Sequence, residues 1–74
     1  MKVYSIYDKK SERFGVPFFC INDGVAKREL DRLSHDENSY VSAYPDDYSL
    51  YGLGSFDDEK GKLVGSDIPE LLLL

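Results

Sequence analysis

Tyr48-Ser49-Leu50-Tyr51-Gly52-Leu53-Gly54-Ser55-Phe56, residues 48–56, reads as the strongest strand in the chain. Its aromatic side chains suit a pleated surface. Alternation places Tyr48, Leu50, Gly52, Gly54 and Phe56 on one face, with Tyr51, Leu53 and Ser55 on the other. Two glycines on one face leave a shallow slot that a helix or another backbone can approach closely. Asp57-Asp58-Glu59-Lys60-Gly61 has the composition of a hairpin turn, returning the chain through Lys62-Leu63-Val64 as a final short strand.

Upstream of that strand, Tyr40 to Asp47 is a connection with aromatic anchors, and Tyr44-Pro45-Asp46-Asp47 has the residues of a turn. Before it lies the best helix. Asn22 is the N-cap, Asp23 puts a negative charge in the first turn, and Ala26, Leu30 and Leu33 follow at i, i+4 and i+7 with Val25 widening the stripe. This helix ends near Ser34-His35, ahead of the polar loop Asp36-Glu37-Asn38-Ser39. Lys2 to Asp8 is a strand carrying Val3, Tyr4, Ile6 and Tyr7, and Lys9-Lys10-Ser11-Glu12-Arg13 is a charged turn. Phe18-Phe19-Cys20-Ile21 is a second apolar run, which Pro17 restricts to a strand start or a sheet edge. The expected fold is α+β: a small antiparallel or mixed sheet of three to four strands packed with one α-helix. Residues 1–68 form a single domain, and residues 69–74 an apolar C-terminal tail.

Both strong strands carry apolar residues on both faces, whereas one helix covers only one face of a small sheet. A chain of 74 residues buries about 60% of the surface it exposes when unfolded, so its core is thin. With Cys20 as the single cysteine, no intramolecular disulfide supports it, which leaves oligomerisation as the common alternative. The expectation is a homodimer or higher oligomer with Tyr51, Leu53, Leu71 and Leu72 at the interface. The greasy end Pro69-Glu70-Leu71-Leu72-Leu73-Leu74 is expected to dock on its own domain, on a neighbouring subunit or on another protein, with disorder as the remaining alternative.

The net charge of −5 is unevenly placed: residues 1–32 carry seven basic and five acidic side chains, residues 33–74 two basic and nine acidic. A polyanionic partner is therefore met by the N-terminal half, because sequence-independent nucleic-acid binding rests on Lys and Arg at phosphates. Lys9, Lys10, Arg13, Lys27, Arg28 and Arg32 form one such surface if the first turn folds beside the helix, with Tyr4, Tyr7, Phe14 or Phe18 available for base stacking. In the local alternative, Lys27 pairs with Asp31, Arg32 with Asp36 and Arg28 with Asp31 along the helix.

Catalytic chemistry has little to stand on. A nucleophile needs a base beside it, and the chain offers one His and one Cys fifteen positions apart. His35 reads as a solvated residue at a helix C-terminus, and Cys20 as a small buried hydrophobe. The acidic turns lack the spacing of a calcium loop, and no phosphate-cradling glycine motif occurs, so neither metal nor cofactor is expected. No apolar stretch of about 18 residues exists and the N-terminus lacks the pattern of a signal peptide, so the expected location is the cytoplasm, with no membrane contact.

Three blocks come in order: Met1-Lys2-Val3-Tyr4-Ser5-Ile6-Tyr7-Asp8, then Pro17-Phe18 with Asn22-Asp23-Gly24-Val25-Ala26-Lys27-Arg28, then Asp47-Tyr48-Ser49-Leu50-Tyr51-Gly52-Leu53-Gly54-Ser55-Phe56-Asp57. Together they resemble the small nonstructural protein of gokushoviruses, the single-stranded DNA phages of the Microviridae, over nearly the whole chain up to about Gly61. The resemblance implies a protein of the infected bacterial cytoplasm that helps switch viral DNA synthesis toward single-stranded genomes and their packaging. It brings no catalytic residues. The expected function is thus a nonenzymatic, oligomeric accessory protein that binds single-stranded DNA. The competing expectation is an interaction module whose acidic half or leucine tail engages the phage initiator, the procapsid or a host replication factor without touching DNA.

Overall fold

The computed structural model describes residues 1–73. Strand β1 (Lys2–Asp8) is the hub of an antiparallel sheet. Along one edge it pairs β2 (Arg13–Phe14) and β3 (Phe18–Cys20), and along the other β4 (Tyr48–Asp57), which in turn pairs β5 (Lys62–Leu73). β2 and β3 are two pieces of one interrupted edge. Between them, the Gly15 N–H donates to the Ile6 carbonyl at 2.8 Å, the Ser5 hydroxyl donates to the Gly15 carbonyl at 2.7 Å, and Pro17 removes a ladder donor. The sheet has five strands where three to four were expected, because this edge is broken in two.

Helix α1 (Asp23–Ser34) forms as the periodicity requires: the Asn22 side chain accepts from the Val25 N–H, and Ala26 and Leu30 face the sheet. A short second helix, α2 (Tyr40–Ala43), is capped by Ser39 and leads into a 3-10 turn at Pro45–Asp47. The connection between α1 and β4 is thus partly helical, not simply an irregular loop. Both helices sit on one face of the sheet, where Tyr4, Cys20, Ala26, Leu30, Val41 and Leu50 form the core, closed by Ile6, Phe18, Val25, Leu33, Tyr48 and Leu72. Among the described residues no helix is long and apolar enough to cross a membrane.

The register of β4 departs from simple alternation. Val3 is opposite Gly54 and Tyr4 opposite Gly52, so Leu53 is an unpaired bulge residue. A bulge reverses the facing of everything beyond it. Phe56 consequently joins the face opposite Leu50, with its ring 5.6 Å from that of Phe19, which corrects its expected grouping with Tyr48 and Leu50. The same bulge puts Gly54 on the face opposite Gly52, so the expected shared glycine slot does not form, and β5 approaches each glycine separately. Gly54 has φ 155°, and a Cβ there would meet the Val64 carbonyl oxygen and lie 2.9 Å from Gly65 Cα, while Leu72 Cδ1 lies over Gly52.

β5 runs well beyond the expected Lys62-Leu63-Val64. Leu71 and Leu73 are registered against Tyr51 and Leu50, so residues 69–73 of the expected tail belong to a sheet strand; Leu74 lies outside the described residues. Between Gly65 and Glu70 the chain leaves the ladder, at a segment containing Pro69, and Ile68 is 79% exposed.

A half-buried polar contact joins helix to sheet. The Tyr4 hydroxyl donates to Asp23 Oδ1 at 2.7 Å, and Lys2 Nζ reaches the same oxygen at 3.4 Å. The Tyr4 bond, followed by Lys2, holds the Asp23 carboxyl below its ordinary range. Burial, reinforced by Asp23, raises the Tyr4 phenol, and burial with Asp8 raises that of Tyr48. A phenol raised in the native state contributes stability that is complete below its unfolded value of about 10 and is lost as pH rises above it. Alkaline titration should therefore show far-UV circular dichroism collapsing above about pH 10 together with the 295 nm tyrosinate signal. Tyr4→Phe should flatten that pH dependence, and an unchanged slope would remove Tyr4 from this role.

Candidate functional site

The break between β2 and β3 opens the flank of the core beside α1. Val25, Arg28, Glu29, Arg32 and Leu33 recur at helical spacing along one flank of α1, next to the Ala26–Leu30 stripe that faces the sheet. Across from them lie Phe18, Phe19, Val16 and Gly15, and between the two walls is an open cleft of about 740 Å³ with Ile6 and Cys20 in its lining. A neighbouring depression of about 580 Å³ shares Ile6, Gly15 and Leu33 with it and adds Arg13, Phe14 and Tyr40. A third, of about 440 Å³, shares Asp8, Tyr40 and Tyr48 with the second and adds Lys10 and Tyr44. Through these shared walls the three depressions adjoin one another in a row, called the trough below.

Of the six expected cations, Arg28, Arg32, Arg13 and Lys10 line this trough in that order. Lys9 is turned away, with its ammonium donating to the Asp46 carbonyl at 3.2 Å. Lys27 contributes to the field around Asp23 on the other flank of the helix. Of the pairings expected along the helix, none forms. Arg32 instead grips Glu29 at i−3, Nε to Oε2 at 3.1 Å and Nη2 to Oε1 at 2.6 Å, and this bidentate bond lowers the Glu29 carboxyl. Among the described residues Arg28 makes no ion pair, which leaves its guanidinium free at the cleft rim.

The aromatic residues sort differently from expectation. Tyr4 is 1% exposed and belongs to the core, so its ring is closed to stacking. Tyr7 packs on the opposite face against Phe14 and Tyr51. Phe18 and Phe14 do line the trough, joined by Tyr40 and Tyr44, both largely exposed. Acidic groups are interspersed there too: Glu29, Asp36, Asp8 and Asp47. His35 sits at the C-cap of α1, its Nδ1 2.8 Å from the Asp31 carbonyl, as a helix-end residue should. Cys20 is buried beside Glu29, and burial raises its thiol, which suppresses the thiolate that reactivity needs.

The second face of the sheet carries no helix. Register places on it Val3, Ser5 and Tyr7 of β1, Phe14 of β2, Phe19 of β3, Ser49, Tyr51, Gly54 and Phe56 of β4, and Leu63, Gly65 and Leu71 of β5. Tyr7, Phe14 and Tyr51 form a triangle of tilted and edge-on rings with centroids 4.7, 5.8 and 5.3 Å apart. Of the four expected interface residues, Tyr51 and Leu71 lie side by side on this face and Leu53 sits half-buried at the bulge. Leu72 lies against the core on the helix side, because the β4–β5 register shifts by one residue there.

A protein-family model described as Phage ORF5 protein matches residues 1–74. The chain belongs to the Phage ORF5 protein family. No curated protein and no solved structure matches it. Membership makes this a phage protein, and the match extends through the leucines that lie beyond the three resembling blocks.

For this Phage ORF5 family chain, sequence reasoning missed the contributions of Tyr40, Tyr44 and Phe19 to the trough. The available signal was the run of tyrosines between Tyr40 and Tyr48, too many for a solvated loop. What brings them beside Arg13 and Lys10 is the short α2 helix, which carries no hydrophobic period long enough to be seen in sequence.

Proposed function

We propose that this chain is a nonenzymatic accessory protein of gokushovirus DNA replication and packaging, acting in the infected bacterial cytoplasm by binding single-stranded DNA along the α1 trough. The observation that carries this reading is the unpaired Arg28 guanidinium at an apolar, aromatic-lined cleft, with adjoining depressions that carry Arg13 and Lys10. Bases stack on aromatic rings whatever their sequence, while cations track the phosphates, and the trough offers both. Its exposed rings favour a single strand, whose bases are free, over a duplex, whose bases are already stacked. The interspersed carboxylates oppose simple electrostatic coating, so stacking carries a large share of the affinity. The family resemblance supplies the viral context.

Fluorescence-anisotropy titration with single-stranded DNA, duplex DNA and RNA at two salt concentrations tests this. Single-stranded DNA should bind preferentially, with log K falling against log salt by about 0.7 per phosphate neutralised. Arg13→Glu with Arg28→Glu should weaken binding by at least about tenfold, while Lys9→Glu with Lys27→Glu, both outside the trough, should have a small effect. Equal losses in the two variants would leave no role for the trough, and a wild-type protein indifferent to nucleic acid would end the proposal.

A further inference from the structure

The helix-free face of the sheet adjoins the proposed DNA trough only at its edge, at Phe14 and Phe19. Its registered positions are all uncharged, in a chain of which 31% of residues are charged. Phe14, Phe19, Leu63 and Leu71 on this face are 43%, 46%, 63% and 47% exposed. We infer that this face is the interface of a two-fold homodimer, in which Tyr7, Phe14 and Tyr51 pack against the same face of a second copy.

Three observations select a second copy as the occupant. A strand of nucleic acid finds no cation here for its phosphates, and a partner that recognises charge finds nothing to pair with. Two identical copies, each carrying a net charge of −5, repel one another least when the surfaces in contact carry no charge, and this face carries none. Self-complementarity is then automatic, because a two-fold axis sets the same patch against itself.

The second observation is the layout of the patch: the Tyr7, Phe14 and Tyr51 rings with Leu71 at one end and the Phe19–Phe56 ring pair with Leu63 at the other. Aromatic side chains are among those that carry most of the energy of stable interfaces. The third is size. The molecule measures 39 × 22 × 17 Å, so its two longer extents bound an area of the same order as the roughly 800 Å² per partner that a stable complex buries. Two such sheets pack about 10 Å apart with α1 and α2 on the outside. The trough meets this face only at Phe14 and Phe19 on the broken edge, while Arg13 is registered on the helix side and Arg28 and Arg32 stand on α1, so the dimer is read as a mass with no DNA present.

Light scattering after size-exclusion chromatography, on wild-type protein from low to high micromolar concentration, should give a mass twice that of the chain. Phe19→Glu with Leu71→Glu changes two side chains already half exposed. It should weaken dimerisation by at least about 30-fold, the loss of a hot spot, with far-UV circular dichroism retained. Leu63→Lys is a second, milder variant should the first fail to fold, and it should lower the dimer fraction in the same direction. Ile21→Glu, at a site 72% exposed and outside the strand register, should leave the dimer intact. A wild-type monomer at high micromolar concentration overturns the inference, as does a monomer that gains mass only with DNA or with another phage protein. A dimer broken by Ile21→Glu and untouched by the face variants overturns it equally.

Discussion

Leu50→Ala should leave the protein largely unfolded at 37 °C. Leu50 is 0% exposed, registered between Ile6 and Leu73 at the centre of the sheet, and belongs to the cluster that α1 and α2 cover. Truncating a buried leucine removes its transfer free energy and leaves a cavity, at a cost of about 2–5 kcal/mol. A core in a chain this small supplies on the order of 3–5 kcal/mol in total. The substitution therefore consumes most of the margin, where the same change in a large domain would be tolerated. Urea unfolding followed by circular dichroism, at matched protein concentration so that any self-association is held constant, measures it. A midpoint corresponding to less than about 1 kcal/mol of destabilisation would mean that the centre of the core lies elsewhere.

Gly54→Ala should cost about 2–3 kcal/mol or more, through a different mechanism. The residue has φ 155°, a conformation L side chains rarely adopt, and an added Cβ would run into the backbone of β5 at Val64 and Gly65. Backbone cannot swing aside as a side-chain tip can, so β5 must peel from β4. Amide hydrogen exchange should report this as lost protection at Leu63, Val64 and Gly65, with β1 less affected. Gly61→Ala is the internal control. It also has positive φ, 66°, but nothing lies within 4 Å of its Cβ position, so its cost should stay at about 1–2 kcal/mol. Equal effects at the two glycines would show that close approach by β5 is not what Gly54 provides.

Much of the architecture is legible in residue order. α1 was marked by Asn22 and by the spacing of Ala26, Leu30 and Leu33; β1 and β4 were marked by their aromatic and apolar content; and the hairpin at Asp57–Gly61 by its turn residues. The two-sided greasiness of the strands is equally a property of the sequence, and the structure leaves one sheet face without a helix. Three features were not legible. The bulge at Leu53 reversed Phe56, because strand facing depends on the partner's register as well as on alternation. β5 absorbed the leucines once set apart as a tail, because Glu70 to Leu73 resume pairing after a looped-out segment containing Pro69. The candidate trough gathers four of six proposed cations and excludes two, Lys9 and Lys27, which their immediate neighbours hold elsewhere.

Local chemistry alone determined where α1 starts and stops, that β1 and β4 extend, and that apolar surface exceeds what one long helix can shelter. Capping, periodicity and turn preference act over a few residues and are written in the order of the chain. Tertiary structure decided which cations share a trough, which tyrosine is sealed in the core, and which leucine turns inward. Those outcomes depend on hydrogen-bond register between segments some twenty to fifty residues apart, and a one-residue slip in that register moves a side chain from one face of the sheet to the other.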